Sequence, residues 1–105
     1  MSHFLKEKQF LLFLLNTQAK QAQIILANLT LPQISCLKEI CYNLVNNTFP
    51  LTDKEIRRLT PYKKIIKSIS NSSVSQKKKT IKKNKEKVYK ILKIIDHRIY
   101  DIVSD

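Results

Sequence analysis

The chain has no glycine in its 105 residues. It therefore lacks the Gly-rich phosphate cradle of a P-loop or a Rossmann turn. That excludes most mononucleotide enzymes. Helices must also stop without their usual Gly cap, so turns fall to Asn, Ser, Thr and Pro. Acids are scarce too, eight against twenty Lys and Arg, and most stand beside a basic residue or at a helix start. His3 and His97 lie near opposite ends, and His97 directly follows Asp96. Adjacent residues in a helix do not face each other. No nucleophile is marked by a turn motif. An enzyme is not expected.

Only two cysteines are present, Cys36 and Cys41, five apart within one predicted helix and poorly placed for a mutual disulfide. No CxxC exists, so no metal site is expected, and free buried thiols in a reducing compartment are the default reading. The longest strongly apolar run, Phe10 to Leu15 (FLLFLL), is six residues long. That is too short for a membrane span and marginal even for the core of a signal peptide. Three glycosylation sequons (Asn28-Leu29-Thr30, Asn46-Asn47-Thr48 and Asn71-Ser72-Ser73) then read as caps and turns. No cofactor is expected, and the protein is not expected to be secreted.

What the chain does hold is positive charge and helix signals. The net charge is +12, with sixteen Lys or Arg against six acids after residue 50 and only four against two before it. Such asymmetry points to a polyanionic partner. The apolar fraction, 43%, suits a folded domain with a modest core.

The strongest local signals lie between Phe49 and Ile81. Thr52-Asp53-Lys54-Glu55 is a capping box, and Thr60-Pro61 reads as a second start, with Pro at the first helical position. Thr30-Leu31-Pro32-Gln33 is another box. Taken in order, the spacing predicts a first helix over 3–15 capped by Ser2, its C-terminal half apolar nearly all round and suited to burial between other helices. A second follows over 18–28, capped by Thr17, although one helix over 4–28 fits the same residues. A third over 31–46 buries Ile34, Leu37, Ile40, Cys41, Leu44 and Val45. Asn46-Asn47 ends it, because Asn tolerates the left-handed conformation. Phe49 and Leu51 anchor an extended connector. A short helix over 53–59 and another over 61–70 follow, the latter turning Tyr62, Ile65, Ile66 and Ile69 inward. Ser75 is expected to cap one long helix over 76–103. Its first half is almost solid Lys. Its second half carries Val88, Leu92, Ile95, Ile99 and Ile102 at spacings of 4, 3, 4 and 3, a coiled-coil-like seam of about two heptads. That seam packs either on the body of the domain or against a second copy.

The basic residues form the one chemical constellation: Arg57, Arg58, Lys63, Lys64 and Lys67, then Lys77, Lys78, Lys79, Lys82, Lys83, Lys85 and Lys87. Lys dominates over Arg and no aromatics are interleaved. The expected mode is therefore non-specific phosphate contact rather than base stacking or bidentate guanine reading. A run of this kind also suits a nuclear-localisation patch.

An ordered set of short motifs adds a resemblance. These are Leu37-Lys38-Glu39-Ile40-Cys41-Tyr42-Asn43-Leu44, Pro50-Leu51-Thr52, Arg57-Arg58-Leu59 with Tyr62-Lys63-Lys64-Ile65-Ile66, and Val74-Ser75-Gln76-Lys77-Lys78-Lys79. From about Ile34 to Ile81 the chain resembles small basic proteins of adintoviruses, Maverick/Polinton-type elements and related integrated animal DNA viruses. The resemblance implies a virion core or DNA-associated protein. Those proteins typically continue into a Gly-rich hydrophobic tail. This chain has no Gly and runs instead into the seam from Val88, so no tail-dependent membrane role is carried over.

The reading is a single all-α domain over residues 1–105, with five or six helices. Residues 4–70 form a compact bundle, and the long basic helix over 76–103 packs back through its second half. The expected function is nucleic-acid binding or condensing, of DNA rather than RNA, by a viral or mobile-element accessory protein in the host nucleus, the cytoplasm or the virion. The alternatives are a helical protein-interaction module, including a homodimer or a partner of an acidic protein, and an anionic-membrane binder.

Overall fold

Two reciprocal capping boxes set the frame. In the computed structural model, which describes residues 6–103, the Thr30 amide donates to Gln33 Oε1 at 2.9 Å and the Gln33 amide to Thr30 Oγ1 at 3.3 Å. The Thr52 amide donates to Glu55 Oε1 at 2.8 Å and the Glu55 amide to Thr52 Oγ1 at 3.2 Å. Each box satisfies two amides that a helix start leaves without partners. The described residues are all helix and connection: α1 (Lys8–Asn16), α2 (Ala19–Leu26), α3 (Leu31–Val45), α4 (Asp53–Leu59), a 3-10 turn (Thr60–Tyr62), α5 (Lys63–Asn71), α6 (Val74–Lys83), α7 (Lys85–Ile94) and α8 (Asp96–Val103). The proposed Ser2 cap lies outside the described residues.

Asparagine replaces the missing glycine at the helix ends. Asn16, Asn28, Asn46 and Asn84 each donate a side-chain N–H to the carbonyl four residues earlier, at 2.7 to 2.9 Å. Asn47 takes the left-handed conformation at φ 55°.

Three cap assignments differ from expectation. Thr17 is extended and closes α1, while Gln18 stands at the start of α2 without a side-chain cap bond. The break after Asn16 rules out one helix over 4–28. Thr60 stays helical and its hydroxyl donates back to the Ile56 carbonyl at 3.0 Å, so it closes α4 and opens the 3-10 turn rather than capping α5. Ser73, not Ser75, caps α6, accepting from the Gln76 amide at 3.3 Å.

The long C-terminal helix is absent, and α6, α7 and α8 stand in its place, so the described residues hold more α-helices than the five or six expected. The chain turns at Asn84 (φ −118°, ψ 33°) and at Ile95 (φ −108°, ψ 14°). Size supplies the reason. A straight helix over 76–103 is about 42 Å long, whereas the longest extent of the domain is 32 Å. A straight rod would leave its apolar residues wet. With two turns, α6 packs on α3 and α5, α7 on α2 and α4, and α8 on α1. At Asn84 the amide is shared between the Thr80 and Ile81 carbonyls at 3.1 and 3.2 Å, which fits a helix ending under local side-chain competition.

The proposed dimer seam is thereby used inside one chain. Val88, Leu92, Ile95 and Ile99 are buried in the common core, and Ile102 packs half-buried against it. In α1, Leu11, Leu14 and Leu15 are buried but Phe13 is 62% exposed, so this helix has an outer face and is not enclosed all round. In the predicted stripes, Val45 is exposed while Tyr62, Ile65 and Leu51 are half-buried.

Polar bonds fasten the wrap. Tyr89 Oη donates to the Thr17 carbonyl at 3.0 Å, Lys93 Nζ to the Leu15 carbonyl at 3.1 Å, and Tyr100 Oη to Asn16 Oδ1 at 2.8 Å. On the other side, Glu55 meets His97 Nε2 at 2.7 Å and Arg98 at 4.0 Å, tying α4 to α8. The Thr52 backbone amide, with smaller help from His97 and Arg98, holds the Glu55 carboxyl below its usual range against the opposing effect of burial.

Two outcomes follow from this packing. Ile99→Ala lowers stability by about 2–5 kcal/mol in urea denaturation and leaves the mass by light scattering unchanged, because the seam is core and not a subunit contact. The folded state favours charged Glu55, so its contribution is full above the ordinary carboxylate range and is lost as pH falls through the lowered value. Urea midpoints measured from about pH 6 to about pH 2 show a shallower decline for Glu55→Gln than for the native chain.

Candidate nucleic-acid interface

Between Ile56 and Lys85 the chain holds Arg57, Arg58, Lys63, Lys64, Lys67, Lys77, Lys78, Lys79, Lys82, Lys83 and Lys85, and no acid. This acid-free span is the sequence signal that matters most for the surface. Its folding decides which of those charges work together.

α6 is the centre. At about 100° per residue, Lys78, Lys79, Lys82 and Lys83 fall within one sector of about 140°. Ile81 and Lys77 fall on the opposite side and are buried, Ile81 completely. The four outer lysines are all exposed, and none has a carboxylate partner among the described residues. Neighbours at i+3 and i+4 are about 6 Å apart. That gives a patch of four ammonium groups on roughly two helical turns. Lys82 and Lys83 also sit in the last turn, where the helix dipole favours cations.

Hydroxyls lie beside this patch. The chain reverses at Ser72 and Ser73, and Ser68 Oγ approaches both Ser72 Oγ and Thr80 Oγ1 at 3.5 Å. Lys64 lies one turn before Ser68 on the same face of α5. Composition and charge reading passed over these hydroxyls, because nothing local marks which Ser or Thr will meet across the α5–α6 contact.

Lys77 does not belong to the surface. It is 4% exposed, and its Nζ donates to the Ser72 carbonyl next to the end of α5. Burial, with Lys38 adding repulsion, pushes its ammonium below the ordinary lysine range. Its place as a phosphate contact is therefore corrected: it closes a helix end. Lys85 is half-buried at the start of α7, and Lys87 is exposed further along it. Arg57 and Arg58 are exposed on the last turn of α4. Lys63 and Lys67 stand on another face of α5 from Ser68 and line a groove shared with α3 and α4.

The remaining reactive groups are enclosed. Cys36 and Cys41 are free, and burial pushes both thiols up to about 12, with Glu7 and Glu39 adding to the effect at Cys36. Thiols held protonated in this way are poor nucleophiles and metal ligands. Among the described residues, no three His, Cys, Asp or Glu side chains gather as a metal-binding group. No single helix among them is long and apolar enough to cross a membrane. No family model, curated protein or solved structure matches the chain.

The burial of Lys77 separates it experimentally from its neighbours. If the outer lysines contact a duplex, Lys77→Met leaves the salt dependence of that binding unchanged, whereas Lys78→Met and Lys82→Met each reduce the log–log slope by about 0.9. With its ammonium value lowered on folding, Lys77 opposes stability while charged. The native chain therefore gains stability relative to Lys77→Met as pH rises through the lowered value toward the ordinary one, measured by chemical denaturation.

Proposed function

We propose that this protein binds nucleic acid, duplex DNA foremost, by non-specific contact between lysines and backbone phosphates. The observation that carries the proposal is the α6 face: four exposed lysines on one sector of a helix, with no carboxylate partner among the described residues. Like charges at i+3 and i+4 each destabilise the helix by a few tenths of a kcal/mol, roughly 0.2–0.5 per pair. A polyanion relieves that repulsion and releases its own counterions. Lys64 on α5 and Lys87 on α7 are also exposed, and counting both gives about six contacts. Lys ammonium groups are point charges without a planar fork, which suits phosphate oxygens and carries no base reading.

On this reading the protein is an accessory or condensing factor of a virus or mobile element, active in the host nucleus, the cytoplasm or the virion. It rests on charge placement together with the ordered motifs between Ile34 and Ile81. An anionic membrane is disfavoured as the partner of α6. An interfacial helix needs a free apolar face, and here Ile81 is committed to the core.

Fluorescence anisotropy with a duplex of about 20 base pairs tests the reading, with about six contacts giving a log–log salt slope near −5. Reversing Lys78, Lys79, Lys82 and Lys83 to Glu is expected to weaken binding at least about 100-fold near 0.1 M salt, with most of the slope lost. An unchanged affinity, or none at low salt in the native chain, overturns it.

A further inference from the structure

Two of the basic residues face something other than the α6 patch. Lys63 and Lys67 border a half-open groove of about 300 Å³ between α3, α4 and α5. Leu44 and Leu59 form its apolar floor and are nearly buried, while Val45 and Ile56 line it at 37% and 49% exposed. A phosphate backbone has no use for an apolar floor. Apolar area left in water forgoes about 25 cal/mol per Å². The groove thus combines an unfilled hydrophobic surface with two cations lacking a carboxylate partner among the described residues.

We infer that this groove docks an acidic amphipathic helix of a partner protein. The spacing carries the argument. Lys63 and Lys67 lie four residues apart on α5, so their side chains rise from consecutive turns about 6 Å apart. Carboxylates at i and i+4 of a helix lying along α5 repeat that distance and meet both ammonium groups. The residues between them place large apolar side chains over the groove, the anchor pattern of helix-in-groove recognition. A volume of about 300 Å³ is at the small end of ligand pockets and suits one or two such anchors. A second copy of this chain is disfavoured by charge, because each copy carries +12 and the groove rim is itself basic. This site goes beyond the nucleic-acid reading and uses lysines other than those of the α6 patch.

The test is a selection from a phage-displayed library of peptides of about 16 residues, long enough for four helical turns, against the native full-length chain. Enriched peptides are synthesised and measured by anisotropy. The expected result is an enriched pattern of apolar residues at i, i+3 or i+4 and i+7 flanked by Asp or Glu, with dissociation constants of about 10 μM or better. Ile56→Asp and the double variant Lys63→Glu/Lys67→Glu each weaken binding at least about tenfold, one unit in log affinity, while Lys82→Glu/Lys83→Glu leaves it unchanged. Both groove variants alter exposed side chains, and circular dichroism confirms their fold. No enrichment, enrichment of neutral or basic peptides, or binding indifferent to both groove variants overturns the inference. So does self-association of the native chain that Ile56→Asp abolishes in light scattering. Duplex affinity is measured on the same proteins. If Lys63→Glu/Lys67→Glu loses DNA as severely as Lys82→Glu/Lys83→Glu while no peptide binds, the pair belongs to the phosphate surface. The groove reading then falls and the nucleic-acid reading stands.

Discussion

The structure depends on ending helices without glycine. A helix leaves its last carbonyls without partners, and glycine normally lets the chain turn left-handed to satisfy them. Here the Asn16, Asn28, Asn46 and Asn84 side chains fold back onto carbonyls four residues earlier. Asn16 does more. Its amide nitrogen closes α1, and its oxygen accepts from Tyr100. Beside it, the Leu15 and Thr17 carbonyls accept from Lys93 and Tyr89. The α1–α2 junction is therefore finished by residues more than seventy positions away, and the end of α1 and the placement of α7 and α8 are one event.

Charge obeys a similar division. Ion pairs at Glu55, Glu86 and Asp96 tie α7 and α8 to each other, internally or to α4. The acid-free span between them supplies uncompensated cations. Local folding then sorts these cations. Lys77 goes inside to Ser72, where its aliphatic stem joins the buried side of α6. Lys78, Lys79, Lys82 and Lys83 go outside, and Lys63 and Lys67 go to the groove. Ile81, fully buried, anchors a helix that its own charges disfavour.

The features legible from residues alone were those with a short-range cause. Both capping boxes appear as read, because each is complete within four residues. The stripe of α3 is largely as its period implies, with Ile34, Leu37, Ile40, Cys41 and Leu44 buried. The C-terminal breaks were not legible, since the apolar spacing runs through Ile95 without interruption. The limit came from the size of the whole domain. The choice between Ser73 and Ser75 rests on two residues of register between identical side chains. Lys77 is chemically identical to Lys78 and Lys79, so only its position opposite the outer face distinguishes it. The groove has no sequence signature because its walls come from three separate helices.

The asparagine caps carry a consequence for chemical ageing. Asparagine deamidates through attack of the following backbone nitrogen on its side-chain carbonyl, a route that glycine as the next residue makes easiest. Conversion to a carboxylate would remove the donor and place negative charge at a helix C-terminus, where the dipole opposes it. In this chain the residues following the four caps are Thr17, Leu29, Asn47 and Lys85. All four are bulkier than glycine. The missing residue that made asparagine necessary at these ends thus also slows the reaction by which asparagine is lost.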